Sequence, residues 1–170
     1  MDENRIELIV ELDKFSVLRK MCISKICTNF GLYFNQPSVI KYISHHEGCT
    51  QKDLAEFLNV TPASIALSTK RLQKAGYIQK KPDEKNLRCN SLYTTNLGKE
   101  ISQKCIDKFD ELNKNLLAGF SDEEIDSFLS CLQKINQKIA ENGKSDPYIS
   151  TFFNLMEEEK SIQKEGIKND

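Results

Sequence analysis

Tryptophan is absent from the chain, and histidine occurs only as the adjacent pair His45 and His46. Two neighbouring imidazoles at a helix end point in different directions, which leaves little for acid–base or nucleophilic catalysis. Glycine is sparse, and no glycine-rich phosphate loop or nucleophile elbow is present. Glu123 and Glu124 are close carboxylates, but a place in the first turn of a helix explains them through its dipole. The chain therefore reads as a non-enzyme. No apolar run approaches the length of a membrane span, and the start Met1-Asp2-Glu3-Asn4-Arg5 lacks the basic opening of a signal peptide. A cytoplasmic protein with no membrane partner is expected. Internal repeats and low-complexity segments are missing as well.

Cysteine is not scarce, yet its spacing lacks chemistry. Cys22, Cys27, Cys49, Cys89, Cys105 and Cys131 contain no Cys-x-x-Cys pair and no Cys/His ligand pattern. Cys22 and Cys27 stand five apart, roughly 140° around a helix, so no bridge forms within that helix. His45, His46, Glu47 and Cys49 are neighbours in sequence but make a poor metal set, and neither a metal nor another cofactor is expected. Cys105 and Cys22 lie on apolar stripes and are expected in the core. Cys49 and Cys89 are expected to be exposed.

What is present lies between residues 50 and 98. Thr50 can accept from the backbone N–H near Asp53, opening a helix whose inward face carries Leu54, Phe57 and Leu58. Small Ala55 allows a second helix to cross closely, Asn59 tolerates the left-handed conformation of a tight corner, and Val60 fills the angle. Thr61 can cap the second helix, Pro62 occupies its first position, Ile65 and Leu72 face inward, and Gly76 ends it. Each position answers a different steric demand of a helix-turn-helix. The periodicity then changes to extended runs, Tyr77–Lys81 and Ser91–Thr95, with Pro82, Asp83 and Asn86 as turn residues between them. Lys80, Lys81, Lys85 and Arg88 gather in this hairpin, where they could lie against a phosphate backbone or enter a minor groove.

The run from Thr50 to Glu100 resembles the winged-helix core of the multiple-antibiotic-resistance-regulator (MarR) family of bacterial repressors. The likeness is carried by Arg71-Leu72-Gln73-Lys74-Ala75-Gly76-Tyr77-Ile78 and by the wing pattern Asp83, Arg88, Leu92, Thr95 and Gly98. The resemblance implies that Asp83 pairs with Arg88 to stabilise the wing while Arg88 reaches the DNA. Asn86 stands where a second acid is usual, and Leu67 where the family often has arginine or a polar residue. Readout by Ala63, Ser64 and Leu67 on thymine methyls is then expected in place of some hydrogen bonds. The resemblance also implies a small effector, often an aromatic or phenolic acid, for which Phe30, Tyr33, Phe34 and Tyr42 are the candidate residues. Some members of the family sense oxidants through a cysteine, which makes Cys49 and Cys89 the redox candidates.

Charge is unevenly distributed. Between Cys49 and Glu100, nine Lys and Arg face five Asp and Glu, an excess of four positive charges. The whole chain carries a net −1, so the remainder holds an excess of five negative charges. Positive charge is concentrated where phosphate would be met, and binding that weakens quickly with salt is expected.

The flanks read as long striped helices. Leu8, Leu12, Phe15, Leu18 and Cys22 form one stripe within residues 4–28, and Pro37 starts a shorter helix through Val39, Ile40 and Ile43. Ile101, Cys105, Phe109, Leu112 and Leu116 recur at helical spacing; Ser121 and Glu124 then form a capping box before Ile125, Phe128, Leu132, Ile135 and Ile139. So many stripes exceed what a small winged core can cover, and a homodimer is expected.

The reading is a mainly α fold with a small β-hairpin wing: a winged helix-turn-helix core with long N- and C-terminal dimerisation helices. Residues 1–35 would form the N-terminal dimerisation helix, 36–98 the DNA-binding core, 99–142 the C-terminal dimerisation helices, and 143–170 an extra helix around Tyr148, Phe152 and Met156 with a polar tail. The expected function is sequence-specific regulation of transcription, by a ligand-responsive repressor acting as a homodimer on a palindromic operator in double-stranded DNA. The DNA-binding candidates are Thr50, Gln51, Thr61, Ala63, Ser64, Leu67, Ser68, Lys70, Lys80, Lys81, Lys85 and Arg88. The alternatives are a winged-helix protein-interaction module without an operator, and a thiol or redox-sensing regulator.

Overall fold

The computed structural model describes residues 2–82 and 90–142. The wing residues Asp83, Lys85, Asn86, Arg88 and Cys89, and the helix expected after residue 143, lie outside the described residues. The order of elements is α1 (Glu3–Asn29), α2 (Gln36–His45), α3 (Gln51–Phe57), α4 (Pro62–Lys74), β1 (Ile78–Pro82), β2 (Asn90–Thr94), α5 (Asn96–Leu117) and α6 (Asp122–Asn142). The chain divides into two compact units, Met1–Leu54 with Pro62–Leu116, and Ala55–Thr61 with Leu117–Asp170.

The first unit holds the core. Val39, Ile40 and Ile43 of α2, Leu54 of α3, Ile65 and Leu72 of α4, Ile78 of β1 and Leu92 of β2 are all buried. Ile65 and Leu72 are seven residues apart and therefore share one face of α4, as their spacing requires. β1 and β2 pair antiparallel, with Ile78 opposite Thr94 and Lys80 opposite Leu92. The hairpin has a further anchor: the Gly48 N–H donates to Leu92 O and the Leu92 N–H to Cys49 O, both at 2.8 Å. The chain before α3 thus adds a short rung to β2.

Thr95 ties the end of α4 to the start of α5. Its hydroxyl donates to Gly76 O at 2.7 Å and accepts from the Gly98 N–H at 3.0 Å, capping α5. Gly76 takes the left-handed conformation, φ 75°, that closes α4 without a steric penalty. Gly98 is needed for a different reason: a Cβ there would sit 2.0 Å from Tyr77 O, so α5 can approach the hairpin only through glycine.

The second unit contains the turn after α3 and helix α6. Asn59 has φ 48°, and the Val60 N–H bonds back to Ala55 O at 3.1 Å, so a short polar residue makes the left-handed corner the sequence predicts. Helix α6 opens on the expected capping box: the Ser121 N–H donates to Glu124 Oε2 at 2.9 Å and the Glu124 N–H to Ser121 Oγ at 3.3 Å. The backbone N–H of Glu123 and the Ser121 side chain also hold the Glu123 carboxyl below its usual range, which fits an anion at a helix N-terminus.

One expectation about the apolar residues is revised. Cys22 was expected in the core and is exposed; Cys27 is the buried cysteine of α1, beside buried Ile23. The reason is that only the last turns of α1 meet the core within one chain. Along the preceding turns Leu8, Phe15, Leu18 and Met21 are all about half exposed. Cys105 is buried as expected.

Candidate nucleic-acid interface

Helix α4 has two faces of opposite character. Ile65, Thr69 and Leu72 are buried, whereas Ala63, Ser64, Leu67, Lys70, Arg71 and Lys74 lie on the exposed side. Small residues occupy its first turns and cations its last ones, a layout in which the N-terminal part can approach base edges while the basic residues meet phosphate. Leu67 is half exposed on this outer face; an apolar side chain at this place suits a thymine methyl.

Ser68 belongs to the other side and corrects the expectation that it faces outward. It is buried, three residues from Ile65 and four from Leu72, and its hydroxyl has no hydrogen-bond partner among the described residues. Gln51 is half-buried, and its amide donates to Thr69 Oγ1, which itself donates to Ile65 O at 2.8 Å. That chain of bonds holds the start of α3 against α4. Thr50 and Asp53 form a reciprocal cap on α3: the Thr50 N–H reaches Asp53 Oδ2 at 2.8 Å and the Asp53 N–H reaches Thr50 Oγ1 at 3.3 Å. The threonine's half of this box is the one the sequence predicts; the acid's half, the Asp53 carboxylate on the Thr50 N–H, is added by the structure. Thr61 is exposed immediately before α4.

On the hairpin, the Lys81 ammonium lies 4.8 Å from the centre of the Tyr93 ring. Lys81 and Tyr93 share one face of the sheet on a diagonal, where long side chains meet. Lys80 is half-buried, and burial lowers the pKa of its ammonium. Glu47 steadies the base of β2 by accepting from the Thr94 N–H at 3.2 Å and pairing with Lys99 at 3.5 Å.

The residue that the sequence reading passed over is Arg71. Its place in the sequence marks only the end of a helix, yet its guanidinium lies over the Tyr33 ring, 4.3 Å from the centroid. The four aromatic candidates are dispersed among different tasks. Tyr33 holds Arg71, Phe34 lies 5.7 Å from the Lys20 ammonium, and Tyr42 stacks on His46 with ring centroids 4.3 Å apart. Phe30 ends α1, its N–H bonded to Cys27 O.

Cys49 corrects a second expectation. It is half-buried, and its thiol is pushed up to about 11, first by burial and then by the nearby charges of Asp53 and Glu47. A thiol so protonated is a poor nucleophile at neutral pH, the opposite of what a cysteine sensor needs.

Residues 32–90 match the model of the MarR family. The chain is 33% identical over 102 residues to YwoH of Bacillus subtilis, an HTH-type transcriptional regulator, covering 58% of this chain and 72% of YwoH. With YybA of the same organism it shares 30% identity over 97 residues, and the match covers 57% of this chain and about two thirds, 65%, of YybA. A MarR-family regulator from Clostridium acetobutylicum has the same fold, with a TM-score of 0.65, 26% identity, and coverage of 81% of this chain and 99% of that one. A MarR-family protein from Listeria monocytogenes, solved in complex with a 26mer DNA, aligns with a TM-score of 0.61 and 22% identity over 79% of this chain and 89% of its own. A helix-turn-helix with a basic outer face, followed by a two-stranded wing, defines a winged-helix transcriptional regulator. The chain belongs to the MarR family, whose members are DNA-binding regulators and not enzymes.

Proposed function

We propose that the protein is a homodimeric repressor that reads a palindromic operator, inserting α4 into the major groove and laying the wing on the flanking backbone or minor groove. The observation that carries this reading is the division of α4 into a buried face and an outer face of small residues followed by cations. Ala63, Ser64 and Leu67 would meet base edges. Lys70, Lys80, Lys81, Lys85 and Arg88 would meet phosphate, with Thr50 and Thr61 near the backbone and Asp83 and Asn86 shaping the wing. Arg71 joins the phosphate contacts.

The homodimer rests on exposed apolar residues. A monomer would leave Leu8, Phe15, Leu18 and Met21 of α1 in water, and likewise Phe128, Leu129 and Ile139 of α6. Burial of such residues is worth about 1.5–3 kcal/mol each when complete. Two-fold symmetry would then present two copies of α4 about 34–36 Å apart, one turn of duplex.

An aromatic acid is the effector class that fits the connection between α1 and α2. Tyr33 and Phe34 are exposed rings, each already beside a cation, Arg71 and Lys20. An aromatic carboxylate could stack on a ring and pair with its cation. An effector of this kind changes repression only by its differential affinity for the free and DNA-bound arrangements.

Selection of binding sites from a randomised duplex pool tests the reading. Enrichment of an inverted repeat with half-sites one helical turn apart is expected. A pool that stays random, with weak binding indifferent to Arg88→Ala, would assign the fold to protein interaction instead.

A further inference from the structure

Between Pro62 and Thr69 the chain has no asparagine, glutamine, arginine, lysine, aspartate or glutamate. These are the side chains whose donors and acceptors tell one base edge from another. Ser68 and Thr69 are buried, so the first turns of α4 present Ala63, Ser64, Ala66 and Leu67 outward. A serine hydroxyl donates or accepts with equal ease and discriminates little between bases. Leu67 is the one large side chain of the group, 51% exposed. Ala63, one turn before it, and Ala66 beside it are too short to screen it.

The surroundings of Leu67 say what covers it. Lys70, Arg71 and Lys74 follow three, four and seven residues later, on the same side of the helix and all exposed. An apolar protein surface would strip water from those cations and return nothing. A duplex supplies phosphates for the cations and base edges for the turns before them. The apolar group on a major-groove edge is the C5 methyl of thymine.

We infer that Leu67 reads the C5 methyl group of a pyrimidine, so that thymine and 5-methylcytosine are both favoured over cytosine and uracil. The inference rests on the proposal that α4 enters the major groove. Thymine and cytosine differ on that edge at two places. At C4 thymine presents an accepting oxygen and cytosine a donating amine; at C5 only thymine carries a methyl. The first turns of α4 hold no long polar side chain with which to test the group at C4. The methyl is then the distinguishing feature, and a cytosine methylated at C5 offers the same apolar surface. The ligand is a duplex with a C5-methylated pyrimidine in each half-site, and methylation of a cytosine there would turn a weak site into a stronger one. Burial of one methyl corresponds to about a 4-fold change in affinity, and to ~15-fold over two half-sites.

Replacement of each thymine of the selected operator by deoxyuridine removes the methyl alone and tests the assignment, with binding followed by fluorescence anisotropy. At one thymine per half-site the parent should lose about 4-fold in affinity. Leu67→Ala, an exposed position given the best helix former, should bind the thymine and uracil operators alike, at about the parent's affinity for the uracil one. With cytosine at that position, C5 methylation should recover the same factor for the parent and nothing for the variant. A parent indifferent to every thymine-to-uracil exchange, yet still preferring the operator to a scrambled duplex, would overturn the methyl reading and leave operator reading standing. Equal sensitivity in Leu67→Ala would do the same. Equal affinity for operator and scrambled duplex would instead overturn operator reading itself, and this inference with it.

Discussion

The guanidinium of Arg71 lies over the ring of Tyr33, 4.3 Å from its centroid. Arg71 is on the outer face of α4, and Tyr33 is in the connection between α1 and α2. The pair is therefore a direct link between the outer face of α4, the proposed DNA-reading helix, and the segment that follows α1. An exposed cation–π contact contributes about 0.5–1 kcal/mol. Tyr33→Leu should weaken DNA binding by about 2–5-fold, whereas Tyr33→Phe, which keeps the ring, should bind as the parent does. Equal losses in both variants, measured by fluorescence anisotropy, would show that the ring face has no part in placing Arg71.

Gly98→Ala should be the most damaging small substitution in the first unit. A methyl group there would stand 2.0 Å from Tyr77 O, and backbone cannot swing aside as a flexible side chain would. Overpacking of this kind costs typically about 1–3 kcal/mol, or a fall in melting temperature of about 2–4 °C for each kcal/mol at this chain length. Thermal unfolding followed by circular dichroism reads it directly. An unchanged melting temperature would mean that α5 can retreat from the hairpin.

Thr95→Val keeps the shape of its side chain and removes the bonds to Gly76 O and the Gly98 N–H. Loss of a cap alone costs about 0.5–2 kcal/mol. Thr95→Ser, which retains the hydroxyl, should recover most of the stability in a urea titration. Failure of serine to rescue would place the effect in the methyl group.

Stability should fall at alkaline pH. Cys49 is pushed up to about 11 and Cys105 to about 12, in each case first by burial, against an ordinary thiol value of 9.0. These groups remain protonated in the folded chain after the unfolded chain has lost the same protons. Above pH 9 the unfolded state therefore binds fewer protons, so the stability that is full below that value declines as pH climbs toward 11–12. Urea midpoints measured from pH 8 upward should drop, and the drop should be shallower in Cys49→Ser. A midpoint insensitive to both pH and that substitution would contradict the assignment.

The helix-turn-helix was legible because its positions carry steric demands that few residues meet. Asn59 takes φ 48° and Gly76 φ 75°, Pro62 begins α4, and Leu54, Ile65 and Leu72 are buried. The strands were placed to within one residue because a period of two replaces a period of 3.6 after Gly76. Less legible was the inner or outer assignment of short polar residues. Ser68 carries no periodic signal of its own, and only its distance from Ile65 and Leu72 places it inside. Cys22 misled because an apolar stripe marks a buried surface without saying which partner buries it; in α1 only the end of the stripe, at Ile23 and Cys27, is covered within the chain. The contact of Arg71 with Tyr33 joins residues far apart in sequence, and no local pattern announces such a pair.

The most direct test of the account is a salt titration of duplex binding, with the selected operator and with a scrambled duplex, for the parent chain and Arg88→Ala. Each phosphate contact releases counterions, so log Kd against log salt should be steep for the parent and shallower by about one unit of slope for the variant. The operator should be held more tightly than the scrambled duplex at every salt concentration. Equal affinity for both duplexes, with a slope that Arg88→Ala leaves unchanged, would contradict operator reading by this winged helix.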